Sequence, residues 1–406
     1  MTKPSTNKHG FKKTKAGWIP EDWECTRLGA VFTNRKTKGT SGLTVLSVTM
    51  DRGVILRSAI ERKMATAVPS DESLLVESGD LAYNMMRMWQ GAVGVCNTSG
   101  VISPAYVVCR PQKTRADAWY MYHLFKSHPG RHWLTSYSYG IHEDRLRLYY
   151  ADFALVPIPL PPLPEQRKIA AILSTWDAAI VQTRDLIEAA KRRKRALVQQ
   201  LVLGERRLKG FKNDWTEYRF DGIVRLRKEK YNPSTANEDQ TCVELEHIES
   251  GTGRLLGTVH AQQQTSIKNI FYAGDVLFGK LRPYLRKHLQ CAFAGVCSTE
   301  IWVLRPQSKV CSQDFLHAVV QTDHFLTSAT VSSGSKMPRA EWDFVADCVF
   351  LIPSLPEQRA IATVLTTADD ETRALEAKAA ALERQKKGLL QKLLTGEVRV
   401  KTAKMS

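Results

Sequence analysis

Long apolar runs are missing from this chain of 406 residues, and no stretch approaches the roughly 18–20 apolar residues that a membrane-spanning helix needs. The lysine-rich start has no apolar segment behind it, so we do not expect a secretory signal peptide. The eight cysteines contain no Cys-x-x-Cys pair and are scattered among apolar residues. This pattern predicts reduced structural thiols in a cytoplasmic protein and disfavours a zinc site.

Acidic residues are scarce relative to basic ones. The chain has 41 Asp and Glu against 58 Lys and Arg, which gives a net charge of +17. The basic residues are clustered, for example at residues 191–195 and 225–228. A cytoplasmic protein of this charge usually meets a polyanion, most often nucleic acid, although a highly soluble surface is the alternative.

Complete catalytic motifs are also missing. Residues 274–281 resemble a phosphate-binding P-loop but lack the final Ser or Thr, and residues 251–253 lack the correctly placed third glycine of a dinucleotide fingerprint. Residues 232–234 stop short of an amino-methyltransferase motif, and His142-Glu143 has no second histidine at the metalloprotease spacing. The residues therefore give no support for catalysis within the chain.

The sequence contains an internal repeat. Leu-Pro-Glu-Gln-Arg occurs at residues 163–167 and again, 192 residues later, at 355–359. Asp22-Trp23 and Asp214-Trp215 have the same offset, and each pair belongs to an aromatic stretch that we interpret as a core anchor rather than a base-stacking group. A repeat with so long a period indicates two duplicated domains rather than a solenoid.

Each copy of the repeated motif predicts a long helix. The Pro-Glu-Gln start and the later Gly204 or Gly396 are helix start and stop signals. Between them, apolar residues recur at 4-3 spacing through residues 169–201 and 361–393, which is the pattern of a coiled-coil seam. One such stripe could be the buried face of an ordinary helix, but two in the same register favour two long helices packed antiparallel.

The stretches between these helices alternate strand-like and helix-like patterns. We expect strands near residues 44–48, 80–86, 92–96 and 105–110 in the first repeat, with a helix at 116–127. The sequence thus predicts an α/β (α+β) tandem repeat. Its two globular domains, here called heads, would be separated by two long antiparallel coiled-coil helices with pseudo-two-fold symmetry.

The repeated segments resemble a known family. Residues 158–166 read Ile-Pro-Leu-Pro-Pro-Leu-Pro-Glu-Gln, residues 350–358 read Phe-Leu-Ile-Pro-Ser-Leu-Pro-Glu-Gln, and each leads into a helix that ends Leu-Gly-Glu or Thr-Gly-Glu. With the opening Gly-Trp-Ile-Pro-Glu-Asp-Trp at residues 17–23, these features resemble the specificity subunits of Type I restriction-modification systems. The resemblance covers nearly the whole chain, although the head interiors match only loosely.

The resemblance implies a non-catalytic DNA specificity subunit whose two target recognition domains each read one half of a bipartite double-stranded DNA target. It implies two methyltransferase (M) subunits and, in the full complex, restriction/translocase (R) subunits as partners, with no membrane. S-adenosylmethionine, ATP and magnesium would bind those partners, and this chain would hold no cofactor. The expected segments are a flexible basic tail at 1–17, recognition domains at 18–162 and 210–354, spacer helices at 163–209 and 355–400, and a tail at 401–406.

Candidate DNA contacts lie in two segments of each head. Arg and Lys suit guanine O6 and N7, Gln suits adenine, and Ser or Tyr can bond bases or phosphates. The candidates are Arg87, Trp89, Gln90, Tyr137, Tyr139, His142 and Arg145 in the first head, and Lys280, Arg282, Tyr284, Arg286, Lys287, Ser333, Lys336 and Arg339 in the second. No catalytic or metal-binding residue is predicted.

Two alternative functions remain open at this point. One is a self-contained restriction-modification or other DNA-modifying enzyme, which would require a methyltransferase or nuclease motif. The other is a basic coiled-coil adaptor that binds DNA without sequence preference. Such an adaptor would bind all duplexes alike, whereas a specificity subunit would lose about 1–3 kcal/mol for each mismatched base pair.

Overall fold

The computed structural model of the chain describes residues 9–40, 42–60, 72–142, 145–331 and 337–401. The chain folds as two compact units: unit 1 combines Met1–Thr183 with Lys378–Ser406, and unit 2 is Arg184–Ala377. Each unit therefore contains one head and a segment from each long helix. The division into successive heads and helices stays a prediction.

The head of unit 1 is built on an antiparallel four-stranded sheet in the order β4-β11-β8-β9. Three pairs of strands, β3-β12, β5-β6 and β7-β10, flank it. The strands are β1 (Phe11–Thr14), β2 (Gly17–Pro20), β3 (Glu24–Arg27), β4 (Phe32–Asn34), β5 (Leu46–Thr49), β6 (Gly53–Leu56), β7 (Leu74–Val76), β8 (Leu81–Asn84), β9 (Val93–Val95), β10 (Gly100–Ile102), β11 (Tyr106–Pro111) and β12 (Pro157–Leu160). The helices are α1 (Ala118–Lys126), α2 (His128–Ser136) and α3 (Tyr150–Phe153).

The start of the chain corrects one prediction. Strands β1 and β2 form an antiparallel hairpin, so residues 11–17 are not part of a flexible tail. The sequence did not indicate strand β1, because its two lysines are exposed and only Phe11 and Thr14 are half-buried. Alternation of polar and apolar residues over four positions is too short a signal to predict a strand.

The head of unit 2 repeats the four-stranded sheet, in the order β14-β22-β19-β20, and adds a five-stranded sheet in the order β15-β18-β21-β16-β17. The strands are β13 (Thr216–Arg219), β14 (Val224–Leu226), β15 (Lys230–Tyr231), β16 (Thr241–Val243), β17 (Val259–His260), β18 (Lys268–Phe271), β19 (Val276–Gly279), β20 (His288–Gln290), β21 (Gly295–Ser298), β22 (Ile301–Pro306) and β23 (Val349–Ile352). The helices are α5 (Phe220–Ile223), α6 (Gln313–Val319), α7 (Asp323–Thr330) and α8 (Trp342–Ala346).

The two heads share a frame that the repeated sequence explains. Asp80 and Asp275, from the repeated Gly-Asp dipeptide, each accept a bond from a turn amide and form an ion pair with an arginine of the neighbouring segment. The arginines are Arg35, at 2.8 Å, and Arg227, at 2.7 Å. Both aspartates are buried, and pairing keeps a buried carboxylate from remaining unsatisfied.

The two long helices are α4 (Leu163–Val202) and α9 (Leu355–Leu394), each 40 residues long as predicted. They end before the predicted residues 209 and 400, because Gly204 and Gly396 adopt positive φ angles of 76° and 72° that terminate the helices. All positions of the predicted seam are buried or half-buried.

The helical segments within each unit run antiparallel. In unit 1, Leu393 lies in the same core as Ile169, while Lys386 forms an ion pair with Asp177. In unit 2, Lys194 pairs with Asp369 at 2.7 Å and Lys191 with Glu376 at 3.3 Å. Within each unit, the segment of α4 and the segment of α9 therefore run in opposite directions.

The glutamine of the repeated motif joins each head to its helix. The Gln166 side chain accepts a bond from the Asp117 amide at 2.9 Å and donates to the carbonyls of Arg115 and Pro161. Gln358 makes the equivalent three bonds in unit 2. Both side chains are fully buried, so each bond replaces one that water would otherwise make.

The glutamate of the motif forms a second junction in each unit. Glu165 accepts a bond from the Trp23 indole and two from Arg399, which lies just beyond the end of α9. In unit 2, Glu357 accepts the same set from Trp215 and Arg207. The interpretation of these tryptophans as core anchors is confirmed, since Trp23 is buried and Trp215 packs against the core of unit 2.

No helix among the described residues is long and apolar enough to cross a membrane. The eight cysteines are free, and all except the half-buried Cys25 are buried. Burial raises the pKa of thiols such as Cys96 and Cys242 to about 12, so these groups stay protonated and unreactive at neutral pH. The prediction of structural thiols is confirmed.

Candidate nucleic-acid interface

The first candidate segment of unit 1 is the turn that follows β8. Arg87 is exposed, and its guanidinium donates to the Gln90 side chain at 3.2 Å. Trp89 is half-buried, and its indole donates to the Met86 carbonyl at 3.0 Å. Gly91 closes the turn with a φ of 91°. The turn therefore presents an exposed cation beside an amide and an indole.

The second segment follows α2. Tyr139 is 55% exposed, and its backbone forms two hydrogen bonds with Arg147 that close the loop. His142 and Arg145 are exposed, and the Arg145 amide donates to the His142 carbonyl. Tyr137 instead packs against the core of unit 1, which favours a structural role for its ring.

The structure brings these two segments together. The Leu148 amide, at the end of the second segment, donates to the Met85 carbonyl at the start of the first at 2.9 Å. Helix α2 also packs against the turn after β8, where the position of a Cβ on Gly91 would lie 3.6 Å from the Arg131 side chain. Side chains predicted from two separate stretches thus share one end of the head.

The corresponding turn of unit 2 follows β19 and contains two strained arginines. Arg282 and Arg286 both have a φ of 51°, a left-handed conformation that residues other than glycine rarely adopt. The Tyr284 side chain between them is 56% exposed, and Arg282 is exposed. Backbone strain of this kind costs about 1–3 kcal/mol per residue and persists only where the surrounding structure enforces it.

The second segment of unit 2 again meets the first. The Arg282 amide donates to the Pro338 carbonyl, and the Ala340 amide donates to the Lys280 carbonyl, both at 2.8 Å. Arg339 is exposed and forms an ion pair with Glu300 at 2.9 Å. Ser333 and Lys336, also predicted as contacts, lie outside the described residues.

Two of the remaining cations have internal partners. The Lys287 ammonium donates to the Leu245 carbonyl at 2.7 Å, and Arg286 forms an ion pair with Asp323 at 2.6 Å. Lys280 is half-buried. Arg282, by contrast, is exposed and forms no ion pair within the part of the chain that the structure describes, so it is the leading candidate of this head to read a base edge.

Residues 20–192 match the family model described as a Type I restriction modification DNA specificity domain. This match spans the head of unit 1 from β3 onwards and three quarters of α4. This match and the curated relatives support a Type I specificity subunit. Both described candidate segments of the first head lie inside the matched range.

Relatives and solved structures agree over almost the whole chain. The MjaVIII specificity subunit of the Type I restriction enzyme from Methanocaldococcus jannaschii is 22% identical, over 96% of each chain. A chain from a structure of type I R-M complex assembly and conformational transition has a TM-score of 0.59 at 18% identity, covering 94% of this chain and 99% of that one. The S subunit from M. genitalium has a TM-score of 0.57 at 15% identity, covering 97% and 99%. These structures establish a shared fold.

The sequence did not indicate several exposed groups near these segments. Ile141 is 96% exposed at the tip of the second segment, and the ring of Tyr149 lies 5.7 Å from that of Tyr139. Tyr149 could have been chosen as a candidate contact, because it is an aromatic residue that directly follows a candidate loop. No sequence signal marks Arg282 and Arg286 as left-handed, because positive φ is normally read from glycine.

Proposed function

We propose that this chain is the DNA sequence-specificity subunit of a Type I restriction-modification complex. Its two heads each bind one half of a bipartite double-stranded DNA target. Between the two half-sites, the target would contain base pairs that neither head reads. If both heads face one side of the duplex, the half-sites lie about one helical turn, or ~10 bp, apart.

One observation carries this proposal: the two heads have the same frame and different additions to it. Both four-stranded sheets have the same strand order, and both frames hold the same buried Asp–Arg pair. Unit 2 then adds a five-stranded sheet where unit 1 has the separate pairs β5-β6 and β7-β10. Two heads with a common frame and different added strands could read two different half-sites.

The long helices would act as the spacer between the two heads. We propose that α4 and α9 form an antiparallel coiled coil with pseudo-two-fold symmetry, so that each head meets one half-site in an equivalent orientation. The buried seam positions and the antiparallel ion pairs within each unit support this. The exposed helix faces would dock the methyltransferase subunits.

Base reading would come from the two adjoining segments of each head. In the first head these present Arg87, Gln90 and Tyr139, and in the second Arg282 and Tyr284. An arginine bonded to guanine O6 and N7 contributes about 1–3 kcal/mol of discrimination. The remaining basic residues would neutralise phosphates and make binding dependent on salt.

The chemistry would belong to partner subunits in the cytoplasm. Two methyltransferase subunits would bring S-adenosylmethionine, and restriction/translocase subunits would bring ATP and magnesium. The specificity subunit itself would then be non-catalytic and hold no cofactor. Its part in the reaction would be to place the methyltransferases on the correct base pairs.

Methylation mapping tests this proposal. The chain is coexpressed with its candidate modification subunit in a host that lacks other methylases, and the modified bases are sequenced genome-wide. We expect a split motif, with two short specified blocks around a fixed unspecified gap. A contiguous motif, or no methylation although the complex is assembled and bound to DNA, would refute the two-headed arrangement.

A variant sharpens the same experiment. Arg282→Gly removes the guanidinium while relieving the positive φ, so the fold of the second head should be retained. We expect relaxed specificity at one position of one block and an unchanged second block. The matched control is Arg219→Gly, whose exposed side chain pairs with Asp221 and Asp347 in the same head, and which should leave the motif unchanged.

A further inference from the structure

The head of unit 2 is attached to the long helices at two places. At the first, the apolar core of the unit joins the head to Ile361 and Leu365 of α9 and to Val198 of α4, beside the buried Gln358 junction. Further along the helices, a cavity of about 950 Å³ lies between the head and the segments of α4 and α9 in the same unit. The second attachment is an ion pair between two residues that line this cavity, one from the head and one from α9.

This ion pair is formed by Arg254 of the head and Glu376 of α9. Arg254 Nη2 lies 2.6 Å from Glu376 Oε2, and Lys191 Nζ of α4 lies 3.3 Å from the other carboxylate oxygen. Burial acts to raise the pKa of Glu376, but hydrogen bonds from Arg254 and Lys191 outweigh it, so the pKa is lowered and the carboxylate is charged at neutral pH. One carboxylate thus connects the head with both helices.

Arg254 lies on a turn that is held closely against the rest of the head. The turn belongs to the stretch between β16 and β17, two strands of the sheet that unit 2 adds to the common frame. A Cβ on Gly253 would lie 2.8 Å from the His288 ring, so the turn packs directly on the wall of the head. The Gly251 amide donates to the carbonyl of Arg286, which ends the candidate DNA-reading turn after β19, at 3.0 Å. A displacement of Arg254 relative to α9 would therefore move that turn as well.

The distance between the two attachments makes the tilt of the head sensitive to the ion pair. Glu376 lies about 27 Å along α9 from Gln358, at about 1.5 Å per residue. Each base pair added between two half-sites moves one of them by about 3.4 Å along the DNA axis and turns it by about 35°. A head that pivots at Gln358 would move by the same distance at Glu376 through a tilt of about 7°. A small change of tilt therefore corresponds to one base pair of the gap.

We infer that Arg254 and Glu376 are positioning residues that set the tilt of the second head on its helices, and thereby the length of the unread gap that the complex accepts. This inference rests on the proposed function and deepens it: the candidate segments select the bases of the two blocks, whereas the ion pair selects their spacing. The two side chains are 43% and 29% exposed, so water and salt screen the pair. The preference for one gap length should therefore weaken as ionic strength rises.

Competition binding by the complex of the full chain with its modification subunit tests the inference. The probes are duplexes that carry both mapped blocks with the native gap, or with a gap one base pair shorter or longer, and the readout is the ratio of their affinities. Arg254→Gln and Glu376→Gln should each lower this ratio at least about threefold. The double variant should match Glu376→Gln alone, because both changes remove the same pair. Arg254→Lys keeps the charge and should lower the ratio less than about twofold.

The control is Arg373→Gln, which removes an equal charge from an exposed position of α9 whose partner, Asp370, lies on the same helix. It should leave the gap ratio unchanged, and discrimination against a substituted base pair in either block should be unchanged in every variant. The inference is overturned if Arg254→Gln leaves the gap ratio unchanged, if Arg373→Gln lowers it equally, or if discrimination against substituted base pairs falls in parallel. A contiguous motif in the methylation map would refute the two-headed proposal together with this inference, whereas a split motif with an unchanged gap ratio refutes the inference alone.

Discussion

Replacing Arg399 by alanine should destabilise unit 1 selectively. The Arg399 guanidinium makes two bonds to Glu165, at 2.8 and 2.9 Å, and two to Asp22, at 2.8 and 2.6 Å. Only 4% of the Glu165 side chain is exposed, and without Arg399 its remaining hydrogen bond among those described comes from Trp23. The change therefore leaves a buried carboxylate without its counter-charge.

The magnitude follows from the burial of the two partners. Breaking a buried ion pair from one side costs about 3–5 kcal/mol. Arg399 is 42% exposed, so water already screens part of the interaction, and we expect roughly 2–3 kcal/mol. For a unit of about 200 residues, each kcal/mol lowers Tm by about 2–4 °C, which predicts a fall of ~4–12 °C.

The assay combines thermal unfolding with hydrogen exchange of the full chain. Arg399→Ala should speed exchange around Trp23 and at the start of α4, whereas Arg207→Ala should do so around Trp215 and the start of α9. Arg373→Ala is the control, because its exposed pair with Asp370 is worth little. A fall in Tm no larger than that of the control, or faster exchange spread equally over both units, would show that the junction contributes nothing specific.

Three further predictions concern other parts of the frame. Gln358→Leu should cost about 2–4 kcal/mol in the free energy of unfolding, measured by urea titration, because it leaves the Ser312 amide and two carbonyls unpaired; an effect below about 0.5 kcal/mol would contradict this. Burial lowers the pKa of His123 to about 4 and that of His317 to about 3, while the unfolded residues titrate near 6.5, so stability should fall as pH drops from about 6.5 towards 4. The slope should be roughly 1.4 kcal/mol per pH unit for each histidine, and His317→Gln should reduce it; an unchanged slope would exclude this histidine as a cause. Finally, cysteines at Thr183 and Ala379 should crosslink under mild oxidation, whereas a pair displaced by one helical turn should not; equal crosslinking of both pairs would refute the antiparallel register.

Local periodicity made the helices of this chain predictable. The 4-3 spacing, the Pro-Glu-Gln start and the terminal glycines identified α4 and α9 from their first residues, and the helices end seven and six residues before the predicted bounds. Equivalent places in the two repeats also indicated the paired candidate segments of the heads, whose contact with DNA stays a prediction. Both predictions needed only signals that lie within one stretch of chain.

Contacts between segments that are distant in the sequence could not be predicted from local patterns. Glu165 and Arg399 are 234 residues apart, and nothing near either residue indicates the other. The same holds for Lys287, which was predicted to face DNA but donates to the Leu245 carbonyl from another segment. A cation in a loop has the same local sequence whether it is solvated, paired internally or poised for a ligand, so its role depends on the folded neighbours.

Residues that recur in both units and residues that differ between them should have different roles, the first in stability and the second in recognition. Glu165, Gln166 and Asp80 have counterparts in unit 2 that make the same contacts, and all of these contacts hold a head on its helix or a sheet on its turn. The residues of the candidate segments differ between the heads, as with the half-buried Gln90 in one and the exposed Tyr284 in the other. Substitutions in the first group should therefore lower binding to every DNA sequence together, through loss of folded protein. Substitutions in the second group should change which sequence is bound at nearly constant stability, so the ratio of specific to random-duplex affinity distinguishes the two groups.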